Sequence, residues 1–137
     1  HISLRRQRQM CIRDRIGVLS MVKSNPGEPY SRISSREAYE MQKNKDATII
    51  DVRNEDEYLS GHVTNAIWVP VDEIIERFNE LPKDKDLLFI CAVGARSGLA
   101  AEYASSLGID SEKLFNIEDG TPTWIKEGLP TSYNNDS

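Results

Sequence analysis

Apolar and polar positions alternate with two different periods from residue 34 onward. Ser34-Ser35-Arg36-Glu37 has the Ser-x-x-Glu spacing of a capping box, which predicts a helix running to about Asn44. Ala47 to Val52 is a short β-branched, apolar run of the kind a buried strand shows. Asn54-Glu55-Asp56-Glu57 repeats the cap pattern and predicts a short helix ending at Gly61. Ala66 to Val69 reads as a strand closed by Pro70. Val71, Ile74, Ile75, Phe78 and Leu81 then follow the i, i+3, i+4, i+7, i+10 spacing of one helix face. Leu87 to Ile90 is a fully apolar strand, Ser97 to Leu107 a helix stopped by Gly108, and Lys113 to Ile117 a last strand. A short helix near Thr123 to Glu127 precedes Gly128-Leu129-Pro130. Strands alternating with helices imply an α/β fold with a mainly parallel sheet covered on both faces.

Composition limits what such a domain can do. The chain has 137 residues, a length for one domain, and no run near the roughly 18 apolar residues that span a membrane. Residues 1–23 carry six basic residues and one acid, net +5, while the other 11 basic and 21 acidic residues give −10. An acidic domain is not built to hold a phosphate backbone, so no nucleic-acid partner is expected. The basic segment has no clear helical or strand period and is expected to be a non-native or disordered leader, with Met21 as a candidate start. Residues 24–30, rich in Pro and Gly, read as a lead-in, and 132–137 as a polar, flexible tail. With no signal peptide in evidence at 16–21, where the apolar run is short and interrupted by glycine, a cytoplasmic location is expected. Of the two cysteines, Cys11 lies in the leader, which leaves Cys91 as the one thiol to explain.

Sites in parallel sheets form beyond the carboxyl ends of the strands, and Cys91 stands directly after Leu87–Ile90. A short loop from there to the next helix can aim several backbone N–H groups at one point. The helix start adds about half a positive charge. Both favour a thiolate, so Cys91 is expected to have a lowered pKa and to act as a nucleophile. Gly94 permits the backbone such a turn requires, and Arg96 supplies a permanent cation. A cysteine ending a core strand is equally the mark of an inert buried residue. The Gly94 and Arg96 context is what favours chemistry.

Cys91-Ala92-Val93-Gly94-Ala95-Arg96-Ser97 resembles the rhodanese active-site loop, Cys-x-x-Gly-x-Arg-Ser. Asp51-Val52-Arg53, then Glu55-Asp56-Glu57-Tyr58 and Gly61-His62-Val63-Thr64-Asn65-Ala66, is similar to the family's other signature. Gly120, Trp124 and Gly128-Leu129-Pro130 match its C-terminal end, and together these motifs extend over roughly residues 30–130. The resemblance implies a rhodanese-like domain at 31–131 with a central sheet of about five strands. It also implies a sulfurtransferase in which Cys91 takes a sulfane sulfur as a persulfide and passes it on. The backbone amides of Ala92, Val93, Gly94, Ala95 and Arg96 would hold the outer sulfur, and Arg96 an anionic donor or acceptor. The donor implied is a small sulfur anion such as thiosulfate, or a persulfide, including one on a protein. The acceptor is a thiol or cyanide-like group. No metal, organic cofactor or membrane is implied.

The remaining matched residues read as structural and near the site: Asp51 and Arg53 as a buttress at the sheet end, His62 as a partner of Asp51 or Glu57, Ser97 at the helix start, Trp124 near the site rim. His62 is not needed as a base, because the loop already ionises the thiol. Trp68 reads as a core residue. Two other functions fit parts of the pattern. A non-catalytic binding module is disfavoured by retention of Cys91 and Arg96. Related phosphatases and arsenate reductases use Cys-x5-Arg, whereas Cys91 to Arg96 is Cys-x4-Arg. The loop's lack of charge beyond Arg96 leaves thiosulfate and persulfide donors both open.

Overall fold

The computed structural model describes residues 26–44 and 46–136. The leader at 1–23, with Met21 and Cys11, lies outside them, as does the start of the lead-in. Five parallel strands form the central sheet: β1 (Ser31–Ile33), β2 (Ala47–Asp51), β4 (Ile67–Trp68), β5 (Asp86–Ile90) and β6 (Leu114–Ile117). Their order is β1-β6-β5-β2-β4. A separate antiparallel pair joins β3 (His62–Val63) to β7 (Thr131–Ser132). The helices are α1 (Ser35–Lys43), α2 (Glu55–Leu59), α3 (Ala95–Ser106) and α4 (Gly120–Lys126).

Local sequence sets most of these limits. The Ser34 hydroxyl accepts the Glu37 amide at 3.2 Å, so α1 starts at the capping box. Asn54 and Glu57 cap α2 reciprocally. β5 is central and buried along its whole length, hence the apolar run Leu87–Ile90 that follows Asp86. Its side chains divide between two cores. Leu87, Phe89 and Cys91 face a layer with Ala100, Ala101 and Ala104 of α3 and with Ile74 and Leu81. Leu88 and Ile90 face a layer with Ala38 of α1 and Trp124 of α4. Each large side chain fully buried here stabilises the fold by about 1.5–3 kcal/mol.

The helix expected over 71–81 does not form as a single element. Two short 3-10 turns occupy Val71–Glu73 and Phe78–Glu80. Most backbone bonds there run from residue i to i−3, such as Ile74 to Val71 and Leu81 to Phe78. Ile74 and Leu81 are buried, but Ile75 is exposed. Apolar spacing tells which residues face the sheet. It does not tell which bond closes each turn, and Pro82 holds Leu81 extended, so the last turn cannot continue. The tail expected to be flexible at 132–137 is bound through Asp136. Ser132 pairs with His62, and the Asn134 amide donates to the Leu59 carbonyl at 2.8 Å. Its polar sequence conceals this, because main-chain bonds to β3 and α2 make the attachment. Strands β1, β3 and β7 are likewise too short for their patterns to announce them. No helix among the described residues is long and apolar enough to cross a membrane.

Register brings the site together. Asp51 lies opposite Ile90, and Ile90 opposite Ile117. The chain therefore leaves β2, β5 and β6 at the same sheet end, carrying Arg53, Cys91 and the 118–120 turn with it. At this end Asp51 and Arg53 form a buried ion pair. The Arg53 Nη2 donates to Asp51 Oδ2 at 2.7 Å and to the Gly61 carbonyl at 2.8 Å. The Asp51 carboxylate also accepts the Arg53 amide at 3.0 Å. Arg53→Ala leaves Asp51 buried without its cation and should cost about 3–5 kcal/mol. Urea denaturation would show it as a lower midpoint. Replacing both residues by leucine should recover much of that loss.

Candidate active site

Cys91 is fully buried at the carboxyl end of β5. Its carbonyl accepts the Thr121 amide at 2.9 Å and the Thr121 hydroxyl at 3.3 Å. That leaves the following amides free to turn toward the sulfur. The Gly94 amide donates to Cys91 Sγ at 3.1 Å. Gly94 has φ of 93°, a left-handed conformation suited to glycine, and an added Cβ would lie 2.8 Å from the Glu118 carbonyl oxygen. Gly120 is tighter still: a Cβ there would lie 2.0 Å from the Ala92 carbonyl oxygen. Both glycines let the loop pack against the 118–120 turn.

α3 begins at Ala95, two residues earlier than its sequence pattern suggests, with Gly94 as its cap. Its first turn therefore overlaps the loop, and its N-terminal amides lie beside the sulfur. The Ser97 hydroxyl is 3.3 Å from Sγ and donates to Asn116 Oδ1 at 2.5 Å. Asn116 in turn donates through Nδ2 to the Gly94 carbonyl at 3.0 Å. Burial pushes the Cys91 thiol pKa up. The Ser97 hydroxyl and the amides of Ser97, Val93 and Gly94 pull it down, and the balance lies below an ordinary thiol. The thiolate is therefore more abundant at neutral pH than in an unperturbed cysteine. The loop beside the sulfur is itself open to solvent, with Val93 79% exposed.

The other expected residues separate into two groups. Arg96 does not extend freely toward the sulfur. It forms a two-pronged ion pair with Glu57, Nη1 to Oε1 at 2.7 Å and Nη2 to Oε2 at 2.9 Å. Asp51 and Arg53 buttress the sheet end, and Arg53 also offers its carbonyl to the Trp68 indole at 2.9 Å. Trp68 is half-buried rather than a core residue, stacked on Tyr58. His62 pairs with neither Asp51 nor Glu57, since arginines already occupy both carboxylates. Its ring nitrogens face the carbonyls of Tyr58 and Asp136, at 2.8 and 2.5 Å. Trp124 packs as expected but not at the site rim. It is fully buried in the layer opposite Cys91, donating to the Pro130 carbonyl at 2.8 Å.

Sequence reasoning missed Asn116, Thr121 and the role of Glu57. Asn116 left a trace: it is the lone polar residue in Leu114–Ile117, and strand alternation places it on the Cys91 face with Leu114. Thr121 left none, because its importance is a main-chain bond.

Fold and site define an α/β protein with a thiolate cradle at the turn from a central parallel strand into a helix. The chain matches the Rhodanese-like domain family over residues 34–127 and belongs to it. It is 33% identical over 86 residues to a sulfurtransferase of Allochromatium vinosum, covering 63% of this chain and 78% of that protein. It is 32% identical over 103 residues to the thiosulfate sulfurtransferase GlpE of Coxiella burnetii, covering 75% of this chain and 94% of that one. Among solved structures, a rhodanese-related protein of Thermoplasma volcanium superposes with a TM-score of 0.63 at 36% identity, covering 74% of this chain and 96% of that one.

Ser97→Ala removes the hydroxyl beside the sulfur while leaving the loop amides in place. The pH midpoint for iodoacetamide alkylation of Cys91 should then rise. Reaction at neutral pH should slow correspondingly.

Proposed function

We propose that this chain is a sulfurtransferase that carries sulfane sulfur from a donor to a thiophilic acceptor as a persulfide on Cys91. The observation that carries this reading is the cradle itself: the Gly94 amide lies 3.1 Å from Sγ at the start of α3. Such a cradle favours negative charge on the thiol, and after transfer the same amides suit the charge on an added outer sulfur.

The chemistry divides into two displacements. In the first, the Cys91 thiolate attacks the outer sulfur of the donor. A new S–S bond forms, the donor's S–S bond breaks, and its electron pair leaves with the departing group, a thiolate or sulfite. In the second, an acceptor thiolate or cyanide attacks the outer sulfur of the Cys91 persulfide and releases the Cys91 thiolate. Neither step calls for a metal or an organic cofactor, and the lowered thiol pKa lessens the need for a general base. Donor release before acceptor attack gives ping-pong kinetics.

Incubation with thiosulfate or a low-molecular-weight persulfide should add the mass of one sulfur atom to the protein, read by intact mass. Cyanide should remove it as thiocyanate. Cys91→Ser should abolish both loading and turnover. Wild-type protein that no sulfur donor loads would sink this reading.

A further inference from the structure

The ion pair between Arg96 and Glu57 bears on which donor the site takes. Arg96 is the loop's one charged side chain, and both prongs of its guanidinium are already bound to a carboxylate. The other four arginines among the described residues are also paired with acids: Arg32 with Glu28 and Glu118, Arg36 with Glu127, Arg53 with Asp51, and Arg77 with Glu73 and Glu80. A donor approaching Cys91 thus meets amide dipoles but no uncommitted guanidinium.

We propose that Glu57 is a specificity-determining residue that neutralises Arg96, so that Cys91 takes sulfur from thiol persulfides in preference to thiosulfate. The inference rests on the sulfurtransferase reading and sharpens its substrate class. Transfer from thiosulfate brings a dianion to a thiolate and releases sulfite, also a dianion, so the reacting centre carries three negative charges throughout. Transfer from a thiol persulfide brings one negative charge to the thiolate and releases a monoanionic thiolate, two charges in all. An amide cradle and one helix start suit the second load better than the first. A free Arg96 would help most with the dianion, and Glu57 withholds it.

Two features make the pair persistent. Glu57 stands at the third position of α2, where its Oε1 also accepts the Asn54 amide at 3.1 Å, so the carboxylate is oriented before Arg96 arrives. The Arg96 guanidinium, opposed by burial but aided by the Asn54 amide, holds the Glu57 carboxyl down at about 2, so the pair is charged at any physiological pH.

The test compares donors in the intact chain. Wild-type protein should show a higher kcat/KM with cysteine persulfide than with thiosulfate, with cyanide as acceptor. Glu57→Gln keeps an oxygen for the Asn54 amide but loses the charge. It should raise the ratio of thiosulfate to persulfide kcat/KM about fivefold, mainly through a lower KM for thiosulfate. Glu57→Asp keeps the charge and should stay nearer the wild-type ratio, which a purely structural role would not produce. A wild type that prefers thiosulfate, or a ratio that Glu57→Gln leaves unmoved, overturns the inference while the sulfurtransferase reading stands. Failure of wild-type Cys91 to load from either donor overturns both.

Discussion

The bond from the Thr121 amide to the Cys91 carbonyl decides which way the active-site loop turns. With that carbonyl held at 2.9 Å by the start of α4, the next peptides curl back over the sulfur with their N–H groups inward. The turn at 118–120 must then lie almost on the loop. Gly120 permits this because nothing larger than hydrogen fits beside the Ala92 carbonyl. The cradle is therefore not a property of the loop alone. It needs β6 and α4 in place before its amides have a direction.

Charge at this sheet end is organised by burial. Asp51 and Arg53 are both buried, and each saturates the other with help from backbone groups. Such a pair adds little net stability but makes loss of either member costly, so it pins the ends of β2 and β3 to one another. Glu57 and Arg96 lie nearer the surface, where an ion pair is worth less and solvent competes for it. The buried pair holds the frame, while the outer pair lies on the loop and helix start that follow Cys91 and on the facing helix α2. His62, denied both carboxylates, ties the C-terminal segment to the frame through carbonyls instead.

Thiol activation here is a balance. Full burial alone would raise the pKa of Cys91 and make it inert. Hydrogen bonds from Ser97 and from the amides of Ser97, Val93 and Gly94 reverse that direction. Ser97 has a single hydroxyl proton, and Asn116 competes for it at 2.5 Å. The buried Asn116 thus links the loop backbone at Gly94 to the group beside the sulfur, so the state of the thiol and the shape of the loop are connected.

Much of this architecture is legible along the chain. Alternating periods mark the strands and helices, because burial on one face leaves an imprint at every second or every third and fourth residue. The Cys91 loop declares itself through Gly94 and Arg96, because a tight anion cradle needs a glycine at a fixed step. Other features leave no such imprint. Strands β1, β3 and β7 and the anchored tail depend on main-chain bonds, which any residue except proline can make. The 71–81 segment keeps the apolar spacing of a helix while closing its turns differently. Glu57 beside Arg96, Asp136 beside His62 and Thr121 on the Cys91 carbonyl come from distant points in the chain, and the fold brings them within reach. Residue types and spacing are local properties that composition records. That Arg96 meets Glu57, 39 residues away, follows from how the elements pack, and that packing exists only in the folded chain.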